Sequence, residues 1–287
     1  MQSPASRPIR FATYNVRMLC LEGPSRGRRP QKSDQSWQAV AAMIGAVDAD
    51  VVALQEVGSV EALDRLQSLL ASPYPQATFC PSNSSLGIHL AVLSRFTFAV
   101  SSHRETVLWD ELGNPLEDYP TREASRDSRL EALRFQRDFP RVSVDVGGGV
   151  ELFVAHLKSL RSYAWMRHTA GTVRNAEARA AARLIKRHLQ KPCLVMGDFN
   201  ASPHDPTLRP LLEESGLWDP VASELETAGV LVPTYRCGVH TNRIDFALLG
   251  AEARTRYVPA SARVHRGALA EVASDHYPLS VELRCDV

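Results

Sequence analysis

The sequence predicts a mixed α/β fold built on at least one large sheet. Two observations carry this. Strand candidates outnumber helix candidates and are interleaved with them in mixed order. Apolar runs of strand length also stop abruptly at polar residues, whereas other segments repeat apolar residues three and four positions apart.

Taken in order, residues 9–16 alternate apolar and polar side chains and end in Tyr-Asn-Val, as a half-buried strand does. Residues 36–47 place Trp37, Val40, Ala41, Ile44 and Val47 on one helical face. Residues 51–57 form a short apolar strand broken at its far end by Gln55 and Glu56, and residues 60–70 return to helical spacing. Strands follow at 86–95, 141–146 and 150–156. The longest helix candidate covers 163–190 and is rich in Ala and Arg. Residues 193–196 break into Gly-Asp-Phe-Asn, and strands at 244–249 and 278–283 close the set. Residues 22–34 contain Gly, Pro and basic residues without periodicity and read as a loop. Residues 110–138, with eight acids and five Arg, read as an insertion arm or lid. With no repeat and no linker-like shift in composition, the expectation is a tail at 1–8 and a single domain over 9–287.

Composition sets outer bounds. The 287 residues carry a net charge of +1, so no global field advertises a polyanionic partner. No stretch approaches the ~18 apolar residues of a membrane span, and MQSPASRPIR lacks the apolar core of a signal peptide. The expected compartment is the cytoplasm as the sequence is written, or secretion if a leader has been removed. Cys20, Cys80, Cys193, Cys237 and Cys285 are scattered and odd in number, which fits neither a zinc ribbon nor a redox pair and favours reduced thiols. A monomer is expected.

The informative feature is where the polar residues fall. Asn15, Glu56, His156, Asp198, Asn200, Asp245, Asp275 and His276 all occupy strand ends or the turns beside them. An ionisable residue at the tip of a dry strand is costly unless it is paired, wet or bound to a metal. Each has an ordinary reading: Asp198-Phe-Asn200 as a capping turn, Glu56 at a surface strand end, Asp275 in a turn, His156 and His276 as satisfied core histidines. Eight such coincidences in one chain are harder to dismiss.

These residues carry a resemblance. Asn15 in ATYNVR, Glu56 in VVALQEV, His156 in AHLKS, GDFN at 197–200, RID at 243–245 and SDH at 274–276 resemble the endonuclease/exonuclease/phosphatase superfamily. This DNase I-like group includes apurinic endonucleases, sphingomyelinases and inositol polyphosphate 5-phosphatases. The order and separations of all six motifs agree, and they span residues 11–283. The resemblance implies a four-layer α/β sandwich, with two facing mixed sheets flanked by helices and strand ends converging on one cleft. It implies a divalent-metal-dependent phosphoric ester hydrolase, preferably a phosphodiesterase. The alternatives are a DNA or RNA endonuclease and an inactive binding module on the same scaffold. The substrate is then a phosphodiester, either a small molecule or nucleic acid.

Residue roles follow from the resemblance and from phosphoryl-transfer chemistry. Hard oxygen ligands suit Mg²⁺ or Mn²⁺, with Ca²⁺ also admissible. Glu56 is the first-choice ligand, with Asn15 and Asp275 completing or orienting the shell. Asp198 is the base for the attacking water, and Asn200 donates to the phosphate. Asp245 and His276 form an acid/electrophile pair, and His156 contacts phosphate or assists the leaving group. The position two after Asn15 is Arg17, where some apurinic endonucleases carry a second metal-site carboxylate, which puts a fixed cation near the phosphate instead. Lys158 lies two residues after His156, so both should project to one face; it binds phosphate or is a solvated loop lysine. Arg137 is a third phosphate-binding candidate. Arg179, Arg183 and Arg187, at spacing four, make a basic helical stripe that either tracks a nucleic-acid backbone or is simply solvated.

Overall fold

A computed structural model describes residues 7–21, 31–84, 86–106, 108, 134–161, 169–226 and 230–285. The expected 1–8 tail, 22–34 loop, 110–138 arm and the first part of the 163–190 helix therefore lie wholly or partly outside the described residues.

The elements run β1 (Ile9–Leu19), α1 (Asp34–Val47), β2 (Val51–Val57), α2 (Val60–Leu69), β3 (Gln76–Cys80), β4 (His89–Ser94), β5 (Phe98–Ser101), β6 (Arg141–Val144), β7 (Val150–His156) and α3 (Ala170–Lys186). They continue with β8 (Cys193–Asp198), α4 (Pro220–Glu224), β9 (Tyr235–Cys237), β10 (His240–Asn242), β11 (Asp245–Leu249), α5 (Ala251–Arg256), β12 (Arg263–Val264), α6 (Ala268–Ala273) and β13 (Leu279–Leu283). One sheet has the order β12-β13-β1-β2-β4-β3, the other β11-β8-β7-β6-β5, and β9 and β10 form a two-stranded hairpin.

Strand alternation explains why the two sheets face each other. In β1 the side chains of Ile9 and Phe11 join Val51, Ala53, Leu152, Val154, Leu194, Met196, Ala247 and Leu249 in a core between the sheets. The intervening Ala12, Tyr14 and Val16 pack on the outer face with Trp37, Val40 and Ile44 of α1 and Leu63 of α2. The second sheet repeats the scheme: Phe153, Val195 and Phe246 face outward onto Ala176, Ala180 and Ile185 of α3. The result is the expected helix–sheet–sheet–helix sandwich.

The same alternation delivers the polar residues to one place. Continuing inward-facing positions along the strands leads from Phe11 through Thr13 to Asn15, from Val154 to His156, from Met196 to Asp198 and back from Ala247 to Asp245. β1 and β2 are parallel, as are β7 and β8. β11 runs antiparallel to β8 and β13 antiparallel to β1, so their starts lie beside the ends of β8 and β1. The inter-sheet core thus changes from apolar to ionisable at one rim.

Several expectations need correction. β3, β5, β9, β10 and β12 carry no clear apolar alternation because they are short and partly exposed, as edge strands and hairpins are. The 86–95 strand starts only at His89, and β1 runs three residues beyond Val16 through a bulge. Asp34 belongs to α1, whose N-cap Ser33 accepts from the Ser36 N–H. Arg179 and Arg183 of α3 and its C-cap Arg187 are exposed, but Arg174 and Glu177 are turned into the protein.

Candidate functional site

The rim brings together all eight polar strand-end residues. Near its end β1 bulges at Arg17 and Met18, with φ of 46° and 49°, and β2 bends at Glu56, with φ 65°. These left-handed residues swing the two strand ends so that Asn15 meets Glu56. The Asn15 amide nitrogen lies 3.4 Å from Glu56 Oε1 and 3.0 Å from Asp198 Oδ2, crossing from one sheet to the other. Its oxygen accepts the Arg17 N–H at 3.0 Å, and Glu56 Oε2 accepts the Met18 N–H at 2.9 Å.

β8 ends in GDFN. Gly197 has φ 150°, and a Cβ there would sit 1.9 Å from the Ala155 carbonyl oxygen, so the close passage of β8 over β7 demands glycine. Asn200, at φ 49°, donates its backbone N–H to Asp198 Oδ1 at 2.9 Å and its side-chain amide to the Leu157 carbonyl at 3.0 Å. The capping-turn reading is therefore correct for Asp198, and it coexists with a second set of contacts. Asp198 Oδ2 lies 3.6 Å from His156 Nε2 and 3.9 Å from His276 Nε2.

His276 reaches Asp245 through Nδ1, 2.9 Å from Oδ2 and 3.1 Å from Oδ1, joining residues 31 apart in sequence. Burial opposes charge on this imidazole. The Asp245 charge and hydrogen bond, with Asp198 behind them, overcome that and raise its pKa to about 10. Asp198 moves up to about 7, chiefly because burial disfavours its anion, with Asp245 adding to the rise and His276 opposing it. Burial drives His156 well below its usual range, helped by the charges of Arg137 and His276, so it stands as a neutral ring. Its Nδ1 is buried without a hydrogen-bond partner.

The three phosphate-binding candidates separate. Arg17 is more than half exposed and lies 3.3 Å from Asp275, at the mouth of the site. Arg137 is only 5% exposed, with its Nε unpartnered. Lys158 is equally buried rather than solvated, and its ammonium donates to the Arg161 carbonyl at 2.6 Å and the Ser159 carbonyl at 3.2 Å. Burial, then the Arg137 charge, lowers its pKa to about 8.

Sequence reading missed three residues around this centre. Glu177, wholly buried on α3, accepts the N–H of Gln136 at 2.8 Å and of Lys158 at 2.6 Å, holding the segments that carry Arg137 and Lys158. Lys32, inside the supposed featureless loop, donates to the carbonyls of Ala273 at 2.6 Å and Val16 at 3.0 Å. Tyr235 lays its ring 4.8 Å from that of His276. Glu177 could have been suspected as the lone acid on an otherwise basic helix; Lys32 and Tyr235 carry no comparable signal.

Two groups could hold a cation. Asp198, Asp245 and His276 present ligand atoms within 4.8 Å of one another, the one such cluster among the described residues. Those atoms already serve one another, and His276 is held as a cation, which fits a proton-handling array. Glu56 and Asp275 offer carboxylate oxygens beside it, a hard pair that fits Mg²⁺ or Mn²⁺, whereas Asn15 turns its amide nitrogen to Glu56 and its oxygen to the Arg17 N–H, an orienting position.

The two-sheet sandwich with ionisable side chains gathered at one rim is the architecture of a DNase I-like fold. The chain belongs to the endonuclease/exonuclease/phosphatase family, whose profile matches residues 12–276. Members of this family hydrolyse phosphate esters and are typically divalent-metal dependent. No curated protein matches the sequence. Among solved structures, the human nocturnin catalytic domain with a bound sulfate anion is similar at TM-score 0.66 and 20% identity, over 97% of this chain and 95% of that one. An endonuclease/exonuclease/phosphatase from Beutenbergia cavernae gives 0.61 and 20%, over 98% and 72%. An AP endonuclease from Archaeoglobus fulgidus gives 0.62 and 15%, over 97% and 100%.

Proposed function

We propose that this protein is a divalent-metal-dependent phosphodiesterase, cleaving a P–O bond by in-line attack of water. The observation that carries the reading is the continuous run of contacts from Glu56 through Asn15 to Asp198, and on through His276 to Asp245. Nothing about folding requires burying that many charges together.

Glu56 and Asp275, with Asn15 orienting Glu56, would hold Mg²⁺ or Mn²⁺, which when bound supplies charge neutralisation at a phosphate oxygen. Asp198, with a pKa near neutrality, accepts the proton of the attacking water, the poise that general-base catalysis favours. Its backbone bond to Asn200 fixes the carboxylate plane while Oδ2 faces the two histidines. His276, kept cationic by Asp245, donates to the phosphate as negative charge builds on its oxygens. Neutral His156 and the Asn200 amide add uncharged donors, and Arg17, Arg137 and Lys158 supply cationic surroundings for the anion.

A nucleic-acid substrate is the second reading, favoured by exposed Arg17 beside the site and by the exposed Arg179, Arg183 and Arg187 along α3 and its C-cap. Nicking of supercoiled plasmid in Mg²⁺ and in Mn²⁺, with EDTA and His276→Ala as controls, tests both. Metal-dependent nicking lost in the variant supports the endonuclease. An intact plasmid with hydrolysis of bis(p-nitrophenyl) phosphate leaves the small-molecule phosphodiesterase, and inertness toward both overturns the hydrolase.

A further inference from the structure

The Asp245–His276 pair joins two different sheets. Asp245 opens β11 of the five-stranded sheet, whereas His276 precedes β13 of the six-stranded one. Between them the sheets meet mainly through apolar side chains, which attract without direction, with the Asn15–Asp198 bond as a polar tie at the rim. The facing of the two strand starts is set by a polar link of its own, beside the pair.

One residue provides it. Thr234 is fully buried, and its four hydrogen bonds divide between the two sides of the pair. Its Oγ1 accepts the N–H of Ile244 at 3.1 Å and of Asp245 at 3.0 Å. Its own N–H donates to the Asn242 carbonyl at 3.0 Å, and its carbonyl accepts the Tyr277 N–H at 2.7 Å. The following residues extend the grip on the His276 side: Tyr235 bridges to His276 across an isolated β-bridge, and the Arg236 N–H donates to the Asp275 carbonyl at 2.8 Å. The backbone of 234–236 therefore fastens Asp275, His276 and Tyr277, while the Thr234 hydroxyl fastens Asp245.

We propose that Thr234 is a positioning residue for the Asp245–His276 pair, its hydroxyl oxygen fixing the start of β11 against the segment that carries His276. This rests on the phosphodiesterase reading above. Valine has the shape of threonine but no acceptor, so Thr234→Val keeps the packing and strips their acceptor from the buried Asp245 N–H and the part-buried Ile244 N–H. Serine keeps the acceptor.

The test measures kcat and KM for bis(p-nitrophenyl) phosphate in Mn²⁺, with melting temperature taken in parallel. Misplacing a reacting pair by about an ångström can cost about a hundredfold in rate. Thr234→Val is accordingly expected to lower kcat by ~10- to 100-fold with KM little changed, and Thr234→Ser to restore most of the rate. If the valine variant does not fold, Thr234→Cys asks the same question, because sulfur is a weak acceptor; its kcat should fall well below that of the serine variant. Folded valine or cysteine variants with undiminished kcat overturn the proposal, even if they melt earlier. A wild-type protein that hydrolyses no phosphate ester overturns the functional reading itself and, with it, this role for Thr234.

Discussion

The Asn15 amide donates to Asp198 across the gap between the two sheets, at 3.0 Å. That single bond ties the expected metal-ligand group to the expected acid–base group, so substitutions on either side should affect separable parts of the reaction.

On the acid–base side, Asp198→Asn and His276→Ala should each lower turnover by ~10²–10⁴, the range for losing an acid–base group. Both variants should keep the fold, because the core beneath them is apolar and continuous. Steady-state kinetics with circular dichroism checks this, and near-full activity in either would remove that residue from the mechanism.

Glu56→Gln should act on the metal. The amide is a poorer ligand for a hard cation, so the Mg²⁺ or Mn²⁺ concentration for half-maximal rate should rise about tenfold or more, the scale of a lost ligand interaction. An unchanged metal titration would place the ion elsewhere, the Asp198, Asp245 and His276 cluster being the next candidate.

The alkaline limb of the rate profile should depend on Asp245. Burial alone would make the His276 imidazole neutral, and Asp245 is what raises its pKa to about 10. Asp245→Asn removes the largest opposition to burial and leaves only the Asp198 and Asp275 charges against it, so the pH at which activity falls on the alkaline side should move downward. Rate profiles from pH 6 to 11 at saturating metal would read this, and an alkaline limb that stays in place would show that His276 does not govern it.

Away from the site, His265 should tie stability to pH. Burial, with Arg263 and Arg10 nearby, lowers its folded pKa to about 4, while the unfolded chain titrates near about 6.5. Between those values the unfolded state binds the extra proton, so stability falls as pH drops through this window. His265→Gln can keep the contact to Ser280 Oγ, seen at 2.8 Å, without the titration. Denaturant midpoints compared at pH 4.5 and 7 should show a smaller drop for the variant than for the wild type.

Gly197→Ala should be among the most damaging small changes in the chain. The added Cβ meets the Ala155 carbonyl at 1.9 Å, and backbone at that point cannot retreat without parting β7 from β8. Loss of soluble folded protein is the expected outcome, and a variant of ordinary melting temperature would contradict it.

The polar residues at the strand ends were more legible in the sequence than the edge strands were. Asn15, Glu56, His156, Asp198 and Asp245 were visible because each interrupts or ends an apolar strand, a placement with a cost that burial alone does not explain. Asp245 and His276 could be paired only by resemblance, since 31 residues and a change of sheet lie between them. Edge strands such as β3 and β5 stayed hidden because solvent on one side removes the alternation that betrays a strand. Thr234 and Lys32 were invisible for another reason: their work is done on backbone N–H and carbonyl groups, which every sequence offers alike. Arg174 and Glu177 gave no signal of their burial because a charged helical position is ordinarily solvated, and only the neighbouring segments show that these two face inward.

The five cysteines have a practical consequence. Cys80, Cys193 and Cys285 are buried, Cys20 is half-buried, and Cys237 is exposed on β9, two residues beyond the tyrosine ring that covers His276. Burial also drives the Cys80 and Cys193 thiols up to about 12, suppressing the thiolate that alkylating reagents require. A maleimide dye should therefore settle on Cys237 in the unaltered protein, turning the hairpin beside His276 into a fluorescent gauge of what binds there.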